Sequence, residues 1–552
     1  MKKHILITII CYAVLYTSCS EGGNRTSRNR ISEIKGEITV NSKDAIAKTE
    51  SGKVSGYIED GIHIFKGIPY AKAERFMPPT QPDPWEGVRS SRAYGPTCPQ
   101  PFRTGWLVDE MAFQSNWDDG VPGEDCLRVN IWTPSLKDNK KRPVMVWLHG
   151  GGFTAGSGQE LPSYDGTNLA AKGDVVVVTL NHRLNVLGFL DLSAFGEKYA
   201  ESGNVGLLDL VAALKWVQNN IQEFGGDPSN VTIFGQSGGG GKVTSLLATP
   251  SAKGLFHKAI VQSGSILRVM ESKYSRRIGA AVVEELGLKA SQIDELKTMP
   301  YDKLLAAGEK AITKVKEESL KNGFNIFLFN WSPTVDGTIL PQQPFEDKAP
   351  ETSFDVPMII GSTLHEFMSG SWNPVLKNAD KATAKEELEK RYGDKATAFI
   401  EAFGKAYPGH KTVDLFDVDF LFRPDAVRQA NYKSLQGGAP VYMYLFNWES
   451  PVMDYAFRAS HCMELPFVFD NVYLARHLTG GGKEAYLLAD KMSQAWINFA
   501  YTGNPNTEGL PEWPVYNPEK GATMIFDNQP DIWYNHDKEL LDIVNSFPYK
   551  GL

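Results

Sequence analysis

Residues 231–240 read VTIFGQSGGG, and this stretch decides the fold. Val231 to Phe234 are apolar and β-rich, glycines follow at once, and KVTSLLATP after them can form a helix, so the pattern is a strand running into a tight turn and then a helix. Within it, Gly235-Gln236-Ser237-Gly238-Gly239 fits G-x-S-x-G, in which a strained strand-to-helix turn lifts a serine hydroxyl above the edge of a sheet. Working outward, PVMVWLHGGG at 143–152 and VVVVTLN at 175–181 are continuous apolar runs, the signature of strands buried on both faces. GLLDLVAALKWVQNNIQEF at 206–224 carries apolar residues at helical spacing closed by Gly225-Gly226, and AIVQSGS at 259–265 is a further buried strand. Strands alternating with helices imply a doubly wound α/β organisation with right-handed crossovers. The stretches 270–330 and 375–435 are helical, charged and less punctuated; they are expected to be insertions capping one edge of a single domain.

Composition agrees with a folded enzyme or receptor. The 552 residues are 42% hydrophobic and 22% charged, with Gly and Pro near ordinary frequencies, which excludes fibrous and disordered classes. Lys and Arg total 57 against 65 Asp and Glu, a formal charge of −8, so no overall positive field exists to gather phosphates and nucleic acid is not an expected partner.

MKKHILITIICYAVLYTS at 1–18 joins Lys2-Lys3 to an apolar run too short for a comfortable membrane span, and reads as an export signal. Cys19 follows Thr17-Ser18 and precedes the polar tract SEGGNRTSRNR, a pattern resembling a bacterial lipoprotein signal whose cysteine carries lipid. Tyr16 departs from it where an aliphatic residue is usual, and plain secretion is the alternative. The expected organisation is an export signal at 1–18, a solvated tether at 19–48 and one domain over 49–552, in an envelope lipoprotein or a periplasmic or secreted protein. Of the remaining cysteines, Cys98 and Cys126 could be bridged after export, closing a local loop worth about 3 kcal/mol, which leaves Cys462 as the odd thiol. No His/Cys cluster has metal-ligand spacing, and neither metal nor cofactor is expected.

The second piece of chemistry is His149-Gly150-Gly151-Gly152-Phe153, at the end of a buried strand. Glycine runs are commonly just turns, but paired with the serine turn this one is an oxyanion-hole candidate, with Gly151, Gly152 and the N–H of Gly238 as donors. A serine nucleophile needs a base held by an acid. Downstream histidines are His257, His365, His410, His461, His477 and His536, and the residues alone do not choose among them, nor among the many acids.

EDCLRVNIW, NHRLNVLGFL, FGGDPSNVTIF, FGQSGGG, IVQSGS, SPTVDGTILP and WINFAYTGNPN, in this order, resemble the type-B carboxylesterase/cholinesterase-like family from about residue 50 to 545. The resemblance implies an α/β-hydrolase fold: a large mixed, mostly parallel central sheet flanked by helices, with helical insertions capping an active-site gorge. It implies ester hydrolysis through an acyl-enzyme, on small-molecule esters and without a cofactor. It matches the family's acid to Glu366 in GSTLHEF at 361–367 and its base to His461 in HCMELPFVF at 461–469, completing a triad with Ser237. Ser263 and Glu464 match positions behind the triad. Cys98 and Cys126 match the family's loop cysteines, and Arg75 with Glu124 and Arg183 with Asp209 match buried ion pairs. Gln236 stands where the family most often has Glu, and Cys462 where it most often has Gly. Trp106, Trp117 and Phe153 are candidates to line the gorge. The rival reading is a cell-surface binding or adhesion ectodomain on the same fold; such members usually lack the serine or the histidine, and this chain keeps all three positions.

Overall fold

The computed structural model describes residues 36–101, 109–320 and 330–547. Twelve strands form one sheet: β1 (Ile38–Thr39), β2 (Tyr57–Glu59), β3 (Ile62–Pro69), β4 (Arg128–Thr133), β5 (Arg142–Leu148), β6 (Val176–Leu180), β7 (Gly226–Gln236), β8 (Lys258–Gln262), β9 (Met358–Thr363), β10 (Val441–Phe446), β11 (Ala522–Phe526) and β12 (Asp531–Tyr534). Their spatial order is β1-β2-β3-β4-β6-β5-β7-β8-β9-β10-β11-β12. The strands from β6 to β11 are mutually parallel, and both margins are antiparallel. This is the mixed, mostly parallel sheet that the resemblance implies.

The apolar runs become central strands because both faces are covered. In β5, Val144, Val146 and Leu148 join one hydrophobic cluster while Met145 and Trp147 join the other, and β7 divides likewise between Ile233 and Phe234. Helix α1 (Val205–Asn220) and helix α2 (Gly238–Leu247) pack against β7, and α2 also covers β8. α1 continues as a 3-10 turn to Phe224 and is stopped by Gly225 at φ 77°, the left-handed cap its glycine pair announces.

Helices α3 (Ser272–Glu285) and α4 (Tyr301–Leu320) pack on each other, as do α5 (Lys381–Tyr392) and α6 (Ala396–Ala406). The end of the second helical stretch is not an insertion. Helix α7 (Arg423–Leu435) lies on β9 and β10 and is the crossover between them, its Ala426 and Ala430 in the core. Its polar sequence conceals this, because its buried charges are paired internally: Arg423 Nε donates to Asp537 at 2.7 Å and Lys433 Nζ to the Ser353 carbonyl at 2.5 Å. On the opposite face, helix α8 (Lys483–Thr502) packs on β5 and β7.

The stretch expected as tether also contributes structure. Ile38–Thr39 pairs antiparallel with β2, and Ile46–Thr49 forms a small separate sheet with Gly52–Ser55 and Val88–Ser90. Strands this short carry no period-2 signal to read. Among the described residues, no helix is long and apolar enough to cross a membrane.

Candidate active site

The C-terminal ends of β5, β7, β9 and β10 converge on one edge of the sheet, the side on which parallel sheets carry their sites. Ser237 sits between β7 and α2 at φ 57°, ψ −126°, outside the regions L-residues favour. Glycines make that turn possible: a Cβ on Gly239 would lie 1.9 Å from the Leu148 carbonyl oxygen, and one on Gly238 would lie 2.2 Å from that of Gly152. The Ser237 N–H donates to the Gln262 carbonyl at 2.8 Å, tying the turn to β8 and leaving the residue partly exposed above the strand end.

Glu366 and His461 are joined twice. The His461 N–H donates to the Glu366 carbonyl at 2.8 Å, and His461 Nδ1 meets Glu366 Oε2. An ionised carboxylate only accepts, so Nδ1 carries the proton and Nε2 keeps its lone pair. The other carboxylate oxygen accepts the Thr363 N–H at 2.9 Å. Phe422 stacks on the imidazole with ring centroids 5.6 Å apart and 9° between planes, and Phe367 lies against it at 4.6 Å. Burial disfavours the imidazolium, but Glu366, with Glu464 and Asp419 behind it, outweighs burial and raises the His461 pKa above its ordinary value. Those two carboxyls are themselves pushed up to about 7, first by burial and then by the Glu366 charge.

Among the described residues, nothing hydrogen-bonds the Ser237 hydroxyl to His461. The Gln236 amide nitrogen instead lies 3.2 Å from Nε2 and 3.3 Å from Nδ1. Gln236 is held from its other end by the Cys462 thiol, which donates to Oε1 at 3.2 Å. Cys462 adopts φ 69°, which explains why glycine suits this position.

Gly151 and Gly152 take φ 78° and 62°, and among the described residues nothing accepts from their N–H groups or from that of Gly238. Three donors thus lie around the serine turn, as an oxyanion site requires. Ser263 and Glu464 are fully buried but do not bond the triad side chains: the Ser263 hydroxyl finds no partner among the described residues, and Glu464 accepts from Gln262, which in turn accepts from Trp496. Their influence on His461 is electrostatic, through Glu464.

A cleft of about 110 Å³ opens beside His461, lined by Trp117, Phe367, Met368, Trp372, Cys462 and His477 among others. Of the gorge candidates, Trp117 lines this cleft. Phe153 does not: it is buried, packs edge-on against Phe189 at 5.3 Å and belongs to the core, because the loop after Gly152 turns it beneath α2 rather than toward the cleft. Trp106 and Cys19 lie outside the described residues.

Cys98 and Cys126 are both buried in the same hydrophobic cluster with free thiols, and the nearness of Cys98, together with burial, pushes the Cys126 thiol pKa up. The fold brings them together without the covalent bond, which depends on redox state and not on packing. Arg183 and Asp209 form the expected buried pair, with two side-chain bonds at 2.8 and 2.7 Å and exposures of 5% and 0%. Arg75 and Glu124 also pair, but Glu124 is 46% exposed, so this pair sits at the surface margin.

Reading the sequence missed Phe422, Asp419 and Lys242. Phe422 and Asp419 come from DLFDVDFLF at 414–422, an acidic and apolar stretch before α7 without helical or strand periodicity, and carry no local motif. Lys242 had a signal: four glycines before it pull α2 against the strand ends and carry its first turn inside.

A sequence model of the carboxylesterase family matches residues 43–542. The para-nitrobenzyl esterase of Bacillus subtilis (strain 168) is 40% identical over 92% of this chain and 99% of its own, and the phenmedipham hydrolase of Pseudarthrobacter oxydans is 34% identical over 88% and 95%. Among solved structures, an esterase from the anaerobe Clostridium hathewayi, described as able to hydrolyse aliphatic aromatic polyesters, superposes with a TM-score of 0.82 at 39% identity, covering 92% of this chain and 99% of that one.

Proposed function

Because this chain belongs to the carboxylesterase family and is a carboxylic ester hydrolase, we propose that Ser237, His461 and Glu366 carry its chemistry and that its preferred substrates are neutral esters with an aromatic or bulky apolar part. His461 Nε2 takes the proton of the Ser237 hydroxyl as Oγ attacks the ester carbonyl carbon. The carbonyl electron pair moves to oxygen, which the N–H groups of Gly151, Gly152 and Gly238 stabilise, and Glu366 stabilises the imidazolium. Collapse of the tetrahedral adduct breaks the bond to the alcohol, which leaves with the proton from Nε2. Water then repeats the sequence on the acyl-serine, releasing the acid. For the first step the Gln236 amide must yield its place beside Nε2 to the serine hydroxyl; catalytic contacts commonly tighten only when substrate is bound.

One observation carries the substrate reading. Among the described residues lining the cleft, the single carboxylate is Glu366, already committed to His461, while Trp117, Leu161, Phe367, Met368 and Trp372 supply apolar walls and the other polar groups, Gln114 and three serines, are neutral. Nothing there offers a counter-charge to a cationic alcohol, and Gln236 replaces a carboxylate beside the base. The para-nitrobenzyl and aliphatic-aromatic substrates named for two relatives fit the same chemistry. The test compares kcat/KM for butyrylcholine with its isosteric neutral ester. Preference for the neutral ester by about tenfold or more is expected, and preference for the cation overturns the reading, leaving a cation–π contact of about 0.5 to 2 kcal/mol with the aromatic lining in control.

The exported state belongs to the same proposal. Lys2-Lys3, the apolar run and Cys19 support a lipid-anchored or secreted protein, and the nearness of Cys98 and Cys126 in one buried cluster supports a bridge once that protein is oxidised. Cys19→Ser is expected to move the protein from the membrane fraction to a soluble pool, and an unchanged distribution contradicts the anchor. A thiol count on the unfolded, unreduced protein that finds both sulfurs free contradicts the bridge.

A further inference from the structure

Lys242 lies in the first turn of α2 with no surface exposed to solvent. An ammonium there persists only if its surroundings replace water. They do so on one side only. Lys242 Nζ donates to the His149 carbonyl at 2.7 Å and approaches the Gly150 carbonyl at 3.4 Å, with the Phe153 ring centroid at 5.7 Å. The charged and titratable groups around it are few. Glu160 attracts it. His149 and His182 are driven well below their ordinary pKa by burial and then, in part, by Lys242 itself, so both are neutral; Arg183 acts from behind His182.

Both carbonyls belong to the glycine loop beside Ser237; the His149 carbonyl is the closer acceptor, and the Gly150 carbonyl, 3.4 Å from Nζ, is also met by His149 Nδ1 at 3.0 Å. The Gly150 carbonyl shares its peptide with the Gly151 N–H, and the His149 carbonyl shares its peptide with the Gly150 N–H. A cation at the oxygen end of an amide draws electron density through it and makes the N–H at the other end a stronger donor. Gly150 itself is close by, since a Cβ built on it would lie 3.5 Å from the Ser237 Cβ.

We propose that protonated Lys242 is a positioning residue for ester hydrolysis: from inside the core it fixes and polarises the 149–151 peptides, so that the Gly151 N–H binds the oxygen anion more strongly as its charge develops. The proposal rests on the reading of Gly151 as an oxyanion donor. It adds a residue whose action is transmitted through the main chain and which touches no substrate atom.

The arrangement has a titratable signature. Burial lowers the Lys242 pKa to about 7, with Glu160 opposing, so the charge leaves within the range where an esterase is assayed. The neutral amine still donates to the His149 carbonyl. The loop therefore keeps its shape and loses only its polarisation, and kcat falls as pH rises through this range. His461 acts in the opposite sense, since it must be neutral to accept the serine proton.

The experiment measures kcat and KM for p-nitrophenyl acetate from about pH 5.5 to 9.5 in the wild type, Lys242→Met and Lys242→Arg, with Ser237→Ala alongside. The wild type is expected to show an alkaline decline. Lys242→Met is expected to lose about tenfold or more in kcat at the acid end, with KM within about threefold and no alkaline decline, because weakening one oxyanion donor costs less than the 10²–10³ of deleting it. Lys242→Arg keeps its charge at every pH, so it is expected to recover part of the rate and also to lack the decline. A folded Lys242→Met that retains the decline, or that changes thermal stability alone, overturns the proposal. Should neither variant fold, the wild type decides: no decline in kcat between about pH 7 and 9.5 overturns the proposal. Full activity in Ser237→Ala would mean that the acyl-enzyme reading itself has failed, whereas an inactive Ser237→Ala beside an unchanged alkaline limb in Lys242→Met would refute the lysine proposal alone.

Discussion

The Cys462 thiol donates to Gln236 Oε1 at 3.2 Å, so the two side chains that depart from the family's usual pair are partners of each other. The Gln236 amide nitrogen then reaches His461 Nε2 at 3.2 Å, which makes a chain from thiol through amide to imidazole. Cys462 stands in the left-handed region at φ 69°, where a side chain costs about 1 kcal/mol relative to glycine, and the contact with Gln236 offsets part of that cost. The two replacements form one neutral unit beside His461 Nε2.

Placing a carboxylate there tests the unit. A charge at position 236 favours the imidazolium of His461, so Gln236→Glu is expected to move the acid limb of the kcat/KM profile upward by about one pH unit. With Cys462→Gly and the double variant the four proteins form a cycle, and a coupling of about 1 kcal/mol in kcat/KM is expected. Additivity within about 0.3 kcal/mol would show that the thiol does not act through Gln236.

Removing the charge of Glu366 tests the other side of the imidazole. Its carboxylate outweighs burial in raising the His461 pKa, so the wild-type acid limb lies above the ordinary histidine value. Glu366→Gln is expected to shift that limb to lower pH and to reduce kcat by about 10³-fold or more, since an amide neither stabilises the imidazolium nor fixes the tautomer. A lowered kcat with an unmoved limb would mean that Glu366 orients the ring without setting its basicity.

The buried ion pair tests the frame that holds the site. Asp209 accepts from the Arg183 guanidinium twice and from its N–H at 3.0 Å, and Arg183 also donates to the Glu74 and Met77 carbonyls at 3.0 and 2.8 Å. Asp209→Asn leaves a buried guanidinium without its counter-charge and is expected to cost about 3–5 kcal/mol in denaturant unfolding. Glu124→Gln, at the half-exposed pair with Arg75, is expected to cost about 1 kcal/mol or less. Equal losses would contradict the assignment of burial.

What the sequence disclosed follows from where each signal resides. β5, β6 and β7 were legible because a strand covered on both faces needs an unbroken apolar run, and the serine turn because its glycines answer a steric demand. Strand β1 was not legible, since two residues at an edge need no pattern. Helix α7 was misread as an insertion because Arg423 and Lys433 satisfy their charges through Asp537 and the Ser353 carbonyl, contacts between residues far apart in the chain. His461 and Glu366 each sit in a loop without a physical signature of its own, so only resemblance selected them; their pairing is a property of neighbouring strand ends, joined by a bridge between Glu366 and Ser460. Phe153 follows three glycines that suggested a ligand-facing loop, yet its ring packs inward against Phe189.

The central claim is that Ser237 is the nucleophile. The direct measurement treats the purified protein with a fluorophosphonate, locates the adduct by peptide mass spectrometry and assays Ser237→Ala in parallel. The account predicts one adduct, on Ser237, and a variant whose ester hydrolysis falls by about 10⁴-fold or more while its thermal midpoint stays close to that of the wild type. An adduct on any other residue, or activity above a few per cent in the folded variant, would contradict it.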